Sequence, residues 1–484
     1  MTFKYRPYQE KTEKDSCHFL HESSFKKGII VKPVGTGKSL DTAIISSQTD
    51  EKSLVVQPSE ELLRQNLEKA QHLGLDPSVY SSSMKRKEIS NLTFATPMSL
   101  IRNAVDFEDF NVVIIDEAHI KMSNDFSKGK VQEKGKFNQF LEHIKPRKII
   151  GLTATPIQLI NTRAGSELRM MNRSKRSFWN QADIFHVTQV SEIRDEYWAD
   201  ISFKVVPTDP GSLELNSTKN DFTLESIIAN YAENDVSAKI MEQYYDLRSQ
   251  GKKSILTFVP TVAEGKYLAM RMKDSHMIYD KLPTKERQAI IADFKKGNIP
   301  HLINCETLTT GFDHQALDAI IMARNTNSFA LYYQIIGRLV RPIVMADGSI
   351  FKKKGTVVDL TGNYKRFGNI DNISFEKQDY TKGWALWNGD KIMTGYPFEN
   401  WEMPDREEVK QLYLNSTMTS SVNIEESKFT FGKHNGKKPS EIFKFDRGYL
   451  SWLLGNQDFT WSTANMKKLK SEIEILFKNE IFKN

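Results

Sequence analysis

Cysteine is nearly absent, with Cys17 and Cys305 the two thiols in 484 residues. Two thiols build neither a disulfide framework nor a Cys-based structural zinc site, so a hydrophobic core must hold the fold and a reducing, cytoplasmic compartment is expected. Long apolar runs are missing as well. No stretch reaches the roughly 18 residues that a membrane-spanning helix needs. The opening Met1-Thr-Phe-Lys-Tyr-Arg-Pro-Tyr-Gln9 contains no secretory apolar segment, so no membrane partner is expected. Gly and Pro are not in excess. Apolar residues at 39% and charged residues at 26% describe an ordinary globular surface without collagen-like, coiled-coil or disordered bias. A chain this long exceeds a single core, and about two or three domains are expected.

Charge of one sign is also scarce, the net balance being +6, but it is unevenly placed. Residues 428–484 hold eleven Lys/Arg against six Asp/Glu, nearly the whole surplus. Such a patch suits polyanion binding by counterion release, and a solvated lysine face looks the same from sequence.

What is present is a phosphate-binding pattern. Lys32-Pro-Val-Gly-Thr-Gly-Lys-Ser-Leu-Asp41 places Gly35, Thr36 and Gly37 before Lys38 and Ser39. A Gly-rich turn opening a helix aims backbone N–H groups at phosphate oxygens, Lys38 adds positive charge at the β/γ position, and Ser39 offers a hydroxyl to Mg²⁺. The strict P-loop pattern has a Gly where this chain has Lys32, so the match is to a variant with paired glycines. Asp116-Glu-Ala-His119 follows 78 positions after Lys38, at the end of the apolar run Asn111-Val-Val-Ile-Ile. That run delivers two carboxylates to the carboxyl end of a buried parallel strand, where nucleotide sites of such sheets lie. Asp116 would hold Mg²⁺ partly through water, and Glu117 would orient and deprotonate the attacking water.

Short apolar runs alternate with helical patterns twice over. The first set is Gly28–Val31, Ser53–Gln57, Thr93–Ala95, Val112–Ile115 and Lys148–Leu152. The second is Ser254–Val259, His276–Tyr279, His301–Asn304, Ala319–Met322 and Gly355–Asp359. This is the βαβ grammar of α/β parallel-sheet domains in tandem. Boundaries are expected at 1–205 and 206–380, the second domain opening on the Pro-, Gly-, Ser- and Asn-rich stretch 206–222. An irregular aromatic linker would fill 381–427 and a small basic α+β module 428–484. Gln334, Arg338 and Arg341, at i, i+4 and i+7, are expected on one helix face, from which the guanidiniums can reach a γ-phosphate.

With these segments in order the chain resembles a superfamily 2 helicase or translocase of the DEAH type, over roughly Tyr5 to Arg341. The resemblance implies tandem RecA-like domains, ATP and Mg²⁺ as cofactors, and nucleic acid as partner. Tyr5-Arg6-Pro7-Tyr8-Gln9 is similar to the adenine-reading segment, which gives Arg6 and Gln9 that role. Val55–Pro58 and Ala95–Pro97 are similar to strand-contacting segments, implicating Pro58 and Thr96. Thr153 and Thr155 of Thr-Ala-Thr-Pro156 resemble the coupling pair, and Thr309, Gly311 and Asp313 the link between nucleotide and track.

Arg163, Arg169, Arg173, Lys175 and Arg176 with Phe178-Trp179 read either as a strand-stacking or duplex-splitting element or as a cationic amphipathic helix whose aromatics belong to the core. The lysine-rich segment 121–136 is a second basic candidate. Val357–Gly368 is similar to compact phage helicases of the UvsW-like, branch-migrating kind, with no room before Gln9 for the extra domain some of them carry. The segment from Phe431 to Trp452 resembles a module of exonuclease X-like proteins. There Asp446 would cap a helix and Tyr449, Leu450, Trp452 and Leu453 would close a miniature core. DNA docking and protein contact are both open for it. The leading expectation is an ATP-dependent DNA helicase acting on forked or branched DNA. An RNA helicase, a restriction-system motor and a nucleotide-gated scaffold are the alternatives.

Overall fold

The computed structural model of the protein describes residues 5–120, 136–162, 165–175, 177–217, 221–305, 312–345, 349–378, 383–398, 401–412, 427–456 and 459–483. They form two compact units, residues 1–158 with 171–374, and residues 159–170 with 375–484.

The larger unit holds two parallel sheets. The strands of the first are β1 (Lys27–Val31), β2 (Ser53–Val56), β3 (Ser78–Ser81), β4 (Arg86–Lys87), β5 (Leu92–Ala95), β6 (Val112–Ile115) and β7 (Lys148–Thr153). After the excursion through β8 (Ile157–Thr162) and β9 (Gly165–Met170), β10 (Asp183–Val187) completes it, in the order β10-β1-β7-β6-β2-β5-β3-β4. All neighbours run parallel except β3 and β4. Helices cover both faces, which is why β2 and β6 are apolar at consecutive rather than alternate positions and wholly buried. Val55, Ile114, Ile150 and Leu152 join Phe19, Ala43 and Leu63 in the core.

The second sheet is built from β11 (Asp200–Val205), β12 (Ile255–Phe258), β13 (Ser275–Tyr279), β14 (His301–Cys305) and β15 (Ala319–Met322). Past the hairpin of β16 (Ile343–Val344) and β17 (Ile350–Phe351) comes β18 (Lys354–Asp359). The order is β11-β18-β15-β12-β14-β13, all parallel. The tandem RecA-like layout is therefore present. Its boundary differs from the expected 205/206, because β11 pairs with β18 and the Ala199 amide donates to the Val340 carbonyl at 2.7 Å. The chain crosses to the second lobe before the 206–222 stretch.

Inside this second core His301 is fully buried, its ring nitrogens 2.7 Å from Thr257 Oγ1 and 2.6 Å from Ser275 Oγ. Burial pushes its pKa down to about 3. The unfolded chain binds a proton below pH ~6.5 that the folded chain refuses. This contribution to stability is complete above that pH and is lost progressively as pH falls towards 3. The urea midpoint is expected to fall more steeply between pH 7 and 4 in the wild type than in His301→Gln, whose midpoint is lower at neutral pH. Parallel pH profiles would contradict this.

In the second unit β9 pairs antiparallel with β22 (Pro397–Phe398) and lies next to β8, while β19 (Ile373–Gln378), β20 (Gly383–Asn388) and β21 (Lys391–Ile392) form a second small sheet. Trp387, Ile392, Tyr396 and Val409 make its core, so part of the expected linker is folded. The basic stretch after Thr162 is accordingly strand β9 and a short 3-10 turn, Met171–Arg173, rather than an amphipathic helix. Helices Pro439–Phe445, Arg447–Gly455 and Ala464–Lys483 close the chain around Phe429, Ile442, Leu450, Leu453, Leu469 and Ile473. Asp446 caps the middle helix through the Tyr449 amide, as expected, but Trp452 is 58% exposed and does not join the core.

Candidate active site

Gly35 and Gly37 both adopt positive φ, +76° and +80°, and the helix Lys38–Ser46 starts directly after them. A left-handed backbone at two positions of a three-residue turn is the reason for the glycines. A Cβ on Gly35 would also lie 3.0 Å from Val340 of the other lobe. From beneath, Tyr8 hydroxyl donates to the Thr36 carbonyl at 3.2 Å, and Arg6 Nη1 donates to that hydroxyl at 2.9 Å. Gln9, 3% exposed, accepts from the Arg6 amide at 2.9 Å.

Lys32, the departure from the strict pattern, is turned under the loop and fully buried. Its ammonium donates to Asp41 Oδ1 at 2.7 Å and Thr12 Oγ1 at 2.9 Å and lies 4.9 Å from the Tyr8 ring. Burial lowers its pKa while Asp41 opposes the shift. Lys32→Met would strand the Asp41 carboxylate and cost about 3–5 kcal/mol, whereas a double Lys32→Met, Asp41→Leu variant should regain most of that. Urea unfolding measures both, and equal losses in the two variants would contradict a paired-charge role.

Strand β6 carries Asp116 to the rim, 3% exposed, with Oδ2 accepting from Asn66 at 2.9 Å and Oδ1 from the Glu117 amide at 2.9 Å. Burial, with Glu117 beside it, pushes Asp116 up to about 6. Glu117 holds φ +48°, a left-handed conformation uncommon for Glu, and its Oε2 is buried without a hydrogen-bond partner, 3.4 Å from His119 Nδ1. Burial lowers the His119 pKa against the pull of Glu117. The neutral ring fits the contacts at its two ends: Nδ1 lies 2.9 Å from Thr153 Oγ1, and Gln334 Nε2 donates to Nε2 at 3.0 Å. Thr153 Oγ1 also accepts from the Thr155 amide at 3.0 Å. A hydrogen-bond chain therefore runs from the first lobe to Gln334 in the second.

Gln334 lies on the helix Phe329–Ile336, which ends before Arg338 and Arg341. The expected continuous helix face is thus broken at Gly337, where a Cβ would come within 2.6 Å of Val34. The arginines still converge. Arg338 Nη1 donates to the Phe312 carbonyl at 2.9 Å and Arg341 Nη1 at 3.3 Å, and Arg341 pairs with Asp313. Burial, then Arg341, brings Arg338 down to about 10, still protonated at neutral pH. Burial acts to raise Asp313, but the Arg341 guanidinium outweighs it and the carboxyl titrates low.

These groups share a cavity of about 730 Å³, lined by Arg6, Gln9, Gly35, Thr36, Gly37, Lys38, Ser39, Asp116 and Glu117 from one lobe and Asp313, Arg338 and Arg341 from the other. Lys69 and Lys295 also line it, as Asn66 supports Asp116; none stood out in the sequence, where each is an ordinary polar residue of a helix. Cations from two sides and an acidic pair just after β6 suit a polyphosphate with a hard cation. Ser39 and Asp116 present oxygen donors, and among the described residues no cluster of three or more His, Cys, Asp or Glu forms an all-protein cage. Mg²⁺, which keeps most of its water, fits such a site.

The strand-contacting candidates are more scattered. Pro58 and Thr96 follow β2 and β5 at their carboxyl ends, both partly exposed, with Thr96 Oγ1 2.9 Å from Ser99 Oγ. Arg173 is partly buried. Thr309, Gly311, Arg163, Arg176 and most of the lysine-rich 121–136 segment lie outside the described residues. Trp179 is a correction: it is 4% exposed, its indole N–H donates to the Ala118 carbonyl at 3.0 Å and its ring packs on Gly151, so it cannot stack on a base.

Comparison with known proteins divides the chain the same way. Residues 2–158 match the family described as type III restriction enzyme, res subunit, and residues 237–342 match the helicase conserved C-terminal domain. Over these two stretches the chain resembles the paired domains of superfamily 2 helicases. Residues 429–458 match the exodeoxyribonuclease X-like C-terminal family. The chain is 27% identical over 263 residues to a Saccharomyces cerevisiae protein named as an ATP-dependent helicase, IRC3, covering 52% of this chain and 35% of that one. The fold is shared with a fragment of an HsdR-type subunit of a type I restriction enzyme from Vibrio vulnificus, with TM-score 0.55, 18% identity and coverage of 75% of this chain and 65% of that one. It is also shared with the type ISP restriction-modification enzyme LlaBIII bound to DNA, with TM-score 0.50, 17% identity and coverage of 75% and 28%. The chain spans about a third of the length of its yeast relative. No described helix is long and apolar enough to cross a membrane.

Proposed function

We propose that this protein is a helicase-type motor, a Mg²⁺-dependent ATP hydrolase that moves along DNA and remodels forked or branched duplexes. The observation that carries the reading is the shared cavity, with Lys38, Asp116 and Glu117 on one wall and Arg338 and Arg341 on the other. A triphosphate held by both walls ties the lobes together. Asp116 and Ser39 would hold the metal, whose chemistry is to neutralise phosphate charge. Glu117 orients water and accepts its proton, while the arginines stabilise charge on the transferring phosphoryl. Loss of the shared phosphate frees the lobes to separate, and repeated closure becomes stepping along the strand.

A restriction-type motor whose nuclease resides in another chain is a second reading, favoured by the res-subunit match over residues 2–158. Displacement of a third strand from duplex DNA, and of one arm from a fork, separates the two readings. The branch-processing reading expects ATP-dependent fork disruption, abolished in Lys38→Ala. Efficient third-strand displacement with intact forks would favour the restriction-type motor, and hydrolysis without either movement would sink both.

A further inference from the structure

The C-terminal module carries a group of rings and cations outside its buried core, with Tyr449 packed against the core's edge. Phe445, at the end of helix Pro439–Phe445, and Trp452, on helix Arg447–Gly455, are each 58% exposed. Between them lie His434 and Tyr449, so that the ring centroids follow one another at 5.4 Å from Phe445 to His434, 4.8 Å to Tyr449 and 6.0 Å to Trp452. Cations sit against this row: Lys437 lies 4.5 Å from the Phe445 ring and Lys433 5.2 Å from the Tyr449 ring.

The row is held rigidly. Asp446 accepts from His434 and Lys433 at 2.7 Å each and caps the helix through the Tyr449 amide. Gly432, at φ +69°, passes so close to the Tyr449 hydroxyl that a Cβ there would lie 2.3 Å from it. Two large aromatics fixed in water are unexplained by folding, since Phe429, Ile442, Leu450 and Leu453 already close the core. Exposed rings close to one another, with lysines beside them, provide base-stacking platforms and phosphate contacts. The surplus positive charge of residues 428–484 makes the surface complementary to a polyanion.

We propose that the face built by Phe445, Tyr449 and Trp452 with Lys433 and Lys437 is a binding site for single-stranded DNA within the C-terminal module. The choice of DNA over RNA rests on the reading of the motor above; the site itself does not, because its test reads binding rather than hydrolysis.

The full-length chain is titrated into fluorescein-labelled oligo-dT, oligo-rU and a blunt duplex without nucleotide. The Phe445→Ala, Trp452→Ala double variant is expected to bind oligo-dT about tenfold more weakly, with duplex affinity changed less than twofold. Trp452→Phe, which keeps a ring, retains most of the affinity. Lys437→Ala makes the log–log salt dependence for oligo-dT shallower by about 0.7. Hydrolysis without nucleic acid is unchanged in all of them.

Wild-type oligo-dT affinity in the double variant would overturn the proposal, as would equal losses for duplex and single strand, or a loss confined to oligo-rU. A shift of the double variant to a smaller species on gel filtration would instead identify a contact between copies. If the double variant fails to fold, Lys437→Ala and Trp452→Phe still decide, since an unchanged salt slope together with lost affinity in Trp452→Phe contradicts a stacking and phosphate-contact role.

Discussion

Glu117→Gln is expected to bind ATP with wild-type affinity while hydrolysing it about 10²–10⁴-fold more slowly, the usual contribution of a positioned general base. The amide keeps the shape of the carboxylate but cannot accept a proton from water. The folded state tolerates the change, because Oε2 is buried without a hydrogen-bond donor and loses none. Removing a negative charge beside Asp116 also relieves the repulsion that raises its pKa. Nucleotide affinity is followed with a fluorescent ATP analogue and turnover by phosphate release. Hydrolysis at the wild-type rate would assign the base elsewhere.

Arg338→Ala is the second large effect, with a loss in turnover of about 10³-fold or more, in the range found where a guanidinium stabilises charge on a transferring phosphoryl group. Arg338 is 8% exposed, and its partner Phe312 carbonyl keeps the Arg341 contact when it is removed. The fold should therefore survive better than the chemistry. Arg338→Lys is not expected to rescue, since an ammonium cannot reproduce the planar fork. A variant that loses ATP affinity and turnover in parallel would make Arg338 a binding residue and not a transition-state one. Arg341 is expected to matter less, because Asp313 already neutralises much of its charge.

How far the chain discloses its own fold varies by element. The central strands were legible because β2 and β6 are unbroken β-branched or apolar runs whose burial on both faces leaves a strong signal. The edge strand β10, Asp-Ile-Phe-His-Val, mixes polar and apolar positions and carries none. Strand β11 was not read as a strand, and its residues were placed in the first domain, because pairing with β18 across more than a hundred residues leaves no local mark.

Tryptophans show the same limit. Trp179, expected to face a strand, is core, and Trp452, expected in the core, faces water. Hydrophobicity identifies a residue that can be buried but not the surface that will bury it. At the site, Gly35, Gly37, Lys38, Ser39, Asp116 and Glu117 could be read directly, because backbone geometry and charge demand those residue types at those positions. Asn66 and Lys32 could not, since both act through tertiary contacts that leave no pattern in the sequence. Arg338 and Arg341 were found for a partly mistaken reason: the helix ends at Ile336, and the following turn, rather than helical spacing, brings both to the cavity.

Steady-state ATP hydrolysis by the purified chain in Mg²⁺ tests the central claim most directly, with no nucleic acid, single-stranded DNA, duplex DNA, a four-way junction and single-stranded RNA compared at equal nucleotide concentration. The account predicts slow basal turnover and strong stimulation by DNA, greatest with the four-way junction. Stimulation by RNA alone, or no hydrolysis under any of these conditions, would contradict it.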